Sequence, residues 1–380
     1  MQLWPILAKI FNFPNISIFP IGVYVGNSKP GNIASFLGEL VTELKDLLNN
    51  GILFENKIIA FEIRALICDA PAKAFACGIP GHTSYHGCTK CIQISMKTGN
   101  VLTYSTILHE LISDADFSSR KHLKHHQKEF HSKQCPFEEL GLKMITQVPL
   151  DPMYLIDLGV MKKIPVRMNT DKTNFKINKE VKAEISTHLK SLRKYVPREF
   201  SRFPRGLEEL FNWKAIEFRQ FLLYTGMLVL KDKVHVDFYY EFLLLHCACR
   251  LLSCPRTCDR NVENTQIFLE LFVENFPVVF GENSISHNIH GLLHISDCVK
   301  KFGPLINFSS YPFEDYLQKL KKYVKKPSEI LQQIHIRTQY EKFVTKQRKM
   351  EFIQKNGDIV AVATSEHFFT TVCPNNFCAI

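Results

Sequence analysis

The chain is short of several things, and each shortage excludes a class of protein. No apolar run reaches the roughly 18 residues that a membrane-spanning helix requires, so no membrane partner is expected. The opening Met1-Gln2-Leu3-Trp4-Pro5-Ile6 carries neither a basic leader nor a small-residue cleavage site, and a secretory signal is not expected there. Internal repeats and low-complexity linkers are also lacking, which sets aside solenoids and disordered tails. The twelve cysteines are scattered and form no dense framework. Without a secretion signal they are expected to be reduced thiols, open to metal binding, in an intracellular protein. What remains is a 380-residue chain that is 46% hydrophobic, too apolar for disorder and long enough for two or three domains. Its formal net charge of +10 fits a polyanionic partner such as DNA.

Residues 3–11 and 16–25 read as strands, rich in branched and aromatic side chains and closed by the turn Gly26-Asn27-Ser28-Lys29-Pro30-Gly31. Residues 32–50 read as a helix, because Ile33, Phe36, Leu37, Leu40, Leu44, Leu47 and Leu48 recur at intervals of three and four. Residues 56–68 read as a mostly apolar strand ending at Asp69. The order strand, strand, helix, strand predicts an α/β chain: the middle of a ribonuclease-H-like core with its first strand missing. Residues 98–145 are irregular and rich in histidine. The segment 121–126 there suits a solvated face, a DNA-backbone contact or a weak metal site. Periodic runs at 181–195, 207–230, 237–253 and 261–279 predict a large all-α insertion. Helices follow at 312–326 and 328–349, then a tail with a strand or two. The expected divisions are 1–97, 98–285, 286–349 and 350–380.

Three groups of residues carry chemistry. Cys88-Thr89-Lys90-Cys91 has the spacing of a zinc half-site, and His290-x-x-x-His294 places two imidazoles one helical turn apart. Together they make four ligands, a closed and therefore structural zinc site. His287 competes with His290 for that role, and His82 or His86 also competes for the metal. Asp69, at a strand end, suits a divalent-metal ligand; the alternative is a turn cap before Pro71. Glu314, in Tyr311-Pro312-Phe313-Glu314-Asp315-Tyr316, suits a second such ligand, although a glutamate in a first helical turn is favoured by the helix dipole in any case. Lys319, Lys321, Lys322, Lys325 and Lys326 crowd the same helix and suit DNA phosphates.

At these residues the chain resembles the CACTA/Mirage/Chapaev group of eukaryotic cut-and-paste DNA transposases. The matching segments include LWPILAKI, FPIGVYVGNSKP, IRALICDAPAKAFACGIPGHTSYHGCTKC, PLDPMYLIDLGVMKKI, HNIHGLLHISDCVKKFGPL and YPFEDYLQKLKK. The order acid, C-x-x-C, two histidines, acid also resembles Transib transposases and the V(D)J recombinase. The resemblance implies a ribonuclease-H-like fold with a helical insertion and a three-acid site holding two Mg2+ or Mn2+ ions. Asp69 matches the second acid and Glu314 the third. Cys88, Cys91, His290 and His294 match the structural Zn2+ ligands. The implied reaction is metal-dependent DNA strand cleavage and transfer in the nucleus. Transposon ends, target DNA and a second copy of the chain are its partners. Two departures stand out. The family's first acid lies on a strand just before the segment matching LWPILAKI, and no counterpart is found, so this chain is expected to be inactive. Tyr154 stands where the family often has histidine. The alternative is a non-enzymatic DNA- or protein-binding module that keeps the fold and the zinc site.

Overall fold

Branched and aromatic residues make β1 (Gln2–Ala8) and β2 (Phe19–Gly26) a two-stranded antiparallel pair, in register from Gln2↔Gly26 to Ala8↔Phe19 with a shift after Ile6. The computed structural model describes residues 2–13, 16–54, 56–168, 175–347, 351–355, 358–363, 368–370 and 378–379, with side chains as far as Glu341. The chain divides into two units, Met1–Asn32 with Pro312–Ile380, and Ile33–Tyr311. The second unit opens with α1 (Ile33–Asn50), whose buried residues Ile33, Leu37, Leu40 and Val41 form the expected single stripe. Gly51 ends it in the left-handed region at φ 69°, its N–H donating to Leu47 O at 2.9 Å.

The strand expected over 56–68 is much shorter. β3 (Ile52–Phe54) and β4 (Lys57–Ile59) form a small hairpin, and the apolar run beyond it continues without a strand partner. Gln147 supplies part of what a neighbouring strand would. Its backbone O accepts from Leu66 N at 2.9 Å, and its side-chain amide donates to Ile63 O at 2.6 Å. An apolar run becomes a strand only when a neighbour completes its ladder. Asp69 accordingly does not end a strand but caps α2 (Ala70–Ala76).

A hairpin of β5 (Met96–Thr98) and β6 (Val101–Thr103) and the short α3 (Asp114–Ser118) lead into the irregular region. The helical part begins with a widened π-type helix, Met153–Met161, continuing into α4 (Lys162–Met168). In α5 (Lys179–Ser191), Asn178 caps the start by accepting from Val181 N at 2.8 Å. The helix expected over 207–230 is broken into a 3-10 segment Leu207–Asn212, α6 (Ala215–Gln220), a π turn Phe221–Thr225 and α7 (Gly226–Leu230). The long α8 (Val236–Ser253) and α9 (Cys258–Phe280) hold the centre of the core. There Phe238, Phe242, Phe272, Phe276 and Phe280 are fully buried, with Phe238 and Phe280 rings 5.4 Å apart. Each such ring contributes about 1.5–3 kcal/mol of burial.

Next come α10 (His287–Gly291), a 3-10 turn Leu292–His294 and α11 (Ile295–Phe302). α12 (Tyr311–Tyr323) crosses into the first unit, which adds α13 (Ile330–Gln347). Its last part is a four-stranded antiparallel sheet of β7 (Glu351–Lys355), β8 (Asp358–Ala363), β9 (Phe368–Thr370) and β10 (Cys378–Ala379), more strand than the tail's sequence suggested. The fold is thus mixed α/β, with small open sheets and a large helical insertion. Among the described residues no helix is long and apolar enough to cross a membrane.

Candidate metal centre

Gly87 starts the knuckle. A Cβ there would lie 2.9 Å from Tyr104 Oη and 3.1 Å from the carbonyls of His82 and Ser84, so the tight approach requires glycine. Lys90 N donates to Cys88 Sγ at 3.4 Å, curling the loop so that both sulfurs point one way. Two histidines brace the loop from outside. His287 donates from Nε2 to Gly87 O at 3.1 Å, and His125 from Nδ1 to Cys88 O at 3.1 Å. His287 thus braces the loop, and the donors that lie together are those of Cys88, Cys91, His290 and His294.

The second half-site comes from α10 and the turn after it. His290 and His294 are 0% and 2% exposed. Among the described residues neither Nδ1 has a hydrogen-bond partner. Ring contacts set their orientation instead: Tyr104 stacks on His290 at 4.8 Å and 11°, and the two imidazoles meet edge-on at 5.0 Å and 78°. One donor atom from each of Cys88, Cys91, His290 and His294 lies within 4.8 Å of all the others. The separations decide what they can hold. Sulfur to sulfur is 3.5 Å, Cys91 Sγ to His290 Nε2 3.3 Å, Cys88 Sγ to His294 Nε2 3.6 Å, and nitrogen to nitrogen 3.3 Å. A tetrahedral ion with metal–sulfur bonds of about 2.3 Å and metal–nitrogen bonds of about 2.05 Å needs edges of about 3.8, 3.6 and 3.3 Å. These four of the six edges match that solid to within about 0.3 Å, and with all four donors within 4.8 Å of one another the cluster can chelate a metal ion. Burial raises the Cys88 thiol, but hydrogen bonding with Cys91, His290 and His294 outweighs it and holds the group well below its usual range. Sharing that bond with Cys88 raises Cys91.

The knuckle and α2 both clamp one loop, which the sequence did not reveal. Lys73, buried on α2, donates from Nζ to Pro149 O at 2.8 Å. Lys90, inside the C-x-x-C, donates to Val148 O at 2.9 Å and also to Ile145 O. Just past this loop, Asp151 is 5% exposed, and both its oxygens accept backbone N–H groups: Tyr154 N at 2.8 Å and Ser310 N at 2.6 Å. The signal for Asp151 lay in Asp151-Pro152, a helix-start pair.

Asp157, in the apolar run of the π-type helix, had no such signal. It accepts from Tyr311 Oη at 2.8 Å. Burial pushes its carboxyl up to about 7, against the pull of Arg219 and the Tyr311 bond and with the help of Asp151. The sign follows: a carboxyl raised in the folded state stabilises below its unfolded pKa, and this contribution is lost as pH rises from about 4 to about 7. Asp157→Asn should therefore be more stable than the parent by about 1–2 kcal/mol at pH 5 and by about 4 kcal/mol at pH 8. Urea denaturation at the two pH values measures this; equal gaps between variant and parent at both would contradict it.

Asp69 is half-buried, and its Oδ1 accepts from Ala72 N at 2.7 Å, so the cap alternative describes one of its two oxygens. Burial pushes the thiol of neighbouring Cys68 up to about 12, with Lys73 pulling the other way. Glu314 lies in the first turn of α12, in the other unit. Lys319 pairs with Glu341 and lies 5.5 Å from the Tyr316 ring. Lys321 and Lys322 are exposed on the helix. Lys325 and Lys326 lie beyond its end at Tyr323, in a turn where both backbone N–H groups donate to Gln333 Oε1. No protein-family model matches the chain, and comparison with curated proteins gives no match either.

Proposed function

We propose that this chain is a transposon-derived DNA transposase core of the ribonuclease-H-like kind, with Asp69 and Glu314 as its candidate acids and zinc in the Cys88/Cys91/His290/His294 centre. The observation that carries the reading is the centre itself. Two half-sites far apart in sequence lie between two acids in chain order, as in the resembled transposases, and they meet in one buried four-donor cluster. Four protein ligands leave no open position, so the zinc is structural. Two soft sulfurs and two imidazoles at tetrahedral spacing favour zinc over a hard cation. Its job is to tie the start of the helical insertion to its end.

In the enzyme reading, Asp69 and Glu314 are the residues that would hold divalent cations, Mg2+ or Mn2+, and such ions would supply an activated water and charge stabilisation for the leaving oxygen of a DNA strand. The nucleus is the compartment this partner implies. Asp69 and Glu314 match two of the three acids the resemblance implies. Asp151, which shares the surroundings of Cys68 with Asp69, has both oxygens engaged by backbone N–H groups and does not serve as the third. That observation also favours a second reading, a DNA-binding module without catalysis. The chain is expected to bind DNA carrying the element's ends, with affinity that falls steeply as salt rises, and not to cut it. The test is incubation with Mg2+ or Mn2+, product strands being read on a gel. Cleavage by the parent that disappears in Asp69→Ala would establish the enzyme reading and show that another residue supplies the first acid.

A further inference from the structure

Lys190 to Arg205 carries six cations, Lys190, Arg193, Lys194, Arg198, Arg202 and Arg205, against the single acid Glu199, a local excess equal to half the chain's +10. The acids nearby in sequence are spent at the two ends. Glu208 pairs with Lys190, while Glu217 and Glu209 hold Arg205 at 2.6 and 2.9 Å. Between these anchors, Arg193, Lys194, Arg198 and Arg202 are all exposed and make no ion pair among the described residues. Aromatic rings alternate with them. The Arg193 guanidinium sits 5.1 Å from the Phe203 ring and Lys194 Nζ 5.0 Å from the Tyr195 ring, yet Phe203 stays 51% and Tyr195 71% exposed. Phe200 meets Tyr224 edge-on at 5.1 Å, and Arg250 lies over Tyr224 at 4.9 Å, adding a further cation beside the same loop.

A solvated lysine face has no use for exposed rings, and a docking patch for an apolar protein surface would not be flanked by unpaired arginines. We infer that residues 193–203 form a binding surface for an unpaired nucleic-acid strand, whose phosphates meet the cations and whose bases stack on Tyr195 and Phe203. Each ring has one face toward a cation and most of its area in water, the arrangement that sequence-tolerant strand binding uses. Duplex DNA, with its bases already stacked, would engage only the cations. This surface belongs to the unit Ile33–Tyr311, whereas the lysines of 319–326 belong to the other unit, and it requires neither metal chemistry nor the acids.

The test is fluorescence anisotropy with a labelled oligo-dT strand and with a mixed-sequence duplex of the same length, in magnesium-free buffer at several salt concentrations. The single strand should bind at least tenfold more tightly, with a log–log salt slope of about −2 to −3 for the three or four phosphates contacted. Arg193→Gln/Lys194→Gln/Arg198→Gln/Arg202→Gln should flatten most of that slope. Tyr195→Ala/Phe203→Ala should weaken the single strand about tenfold at every salt, leaving the slope unchanged. All six side chains are exposed, so unchanged circular dichroism and zinc content certify the fold. Lys321→Gln/Lys322→Gln should leave the single-strand preference intact. Equal binding of strand and duplex, or variants at 193–203 that bind the strand like the parent, would overturn the inference. Because no cleavage is read, failure here is distinct from failure of the transposase reading.

Discussion

Cys88→Ser should lose metal binding and about 5 kcal/mol of stability. Cys91 Sγ and His290 Nε2 belong to residues 199 positions apart, so a metal held between them closes a very long loop. A cross-link across such a loop removes about 5 kcal/mol of unfolded-chain entropy in the chain-entropy picture, before any bond strength is counted. Losing one ligand also leaves the remaining buried donors, His290 and His294 at 0% and 2% exposure, without their partner. His290→Ala should produce nearly the same loss, and the double variant should be little worse than either single one, since the ligands act as a unit. Metal content and denaturation midpoints check this. Full metal occupancy in Cys88→Ser, or additive losses in the double variant, would contradict it.

Asp151→Ala should cost about 3–5 kcal/mol. The carboxylate joins the start of the π-type helix to Ser310, 159 positions away, and truncation would leave Tyr154 N and Ser310 N buried without an acceptor. Asp151→Asn keeps one acceptor oxygen and should cost about half as much. Urea midpoints measure both. An alanine variant within about 1 kcal/mol of the parent would show that these two N–H groups reach water or another acceptor.

The metal centre was legible because metal ligation fixes residue type and local spacing. Cys88-x-x-Cys91 and His290-x-x-x-His294 each announce a half-site, although only the fold shows that His287 goes to Gly87 O and leaves His290 for the metal. α1, α8 and α9 were legible from apolar spacing, since one face of each is buried along its length. The run from Ala60 to Asp69 was misread for a physical reason: its apolar residues are those of a buried strand, but its backbone partner is Gln147, which no local pattern reveals. The region 207–230 was misread as one helix because π and 3-10 turns keep an apolar periodicity close to that of an α-helix. Lys73, Lys90, Asp151 and Asp157 were missed because a charged side chain in an apolar stretch reads as exposed until its buried partner is known.

The account rests on four ligands meeting at one ion, and X-ray absorption at the zinc edge of the purified protein addresses that most directly. One zinc per chain is expected, with two sulfur neighbours at about 2.3 Å and two nitrogen neighbours at about 2.0–2.1 Å. A shell of oxygen or of nitrogen alone, or a protein that holds no zinc while fully folded, would contradict it.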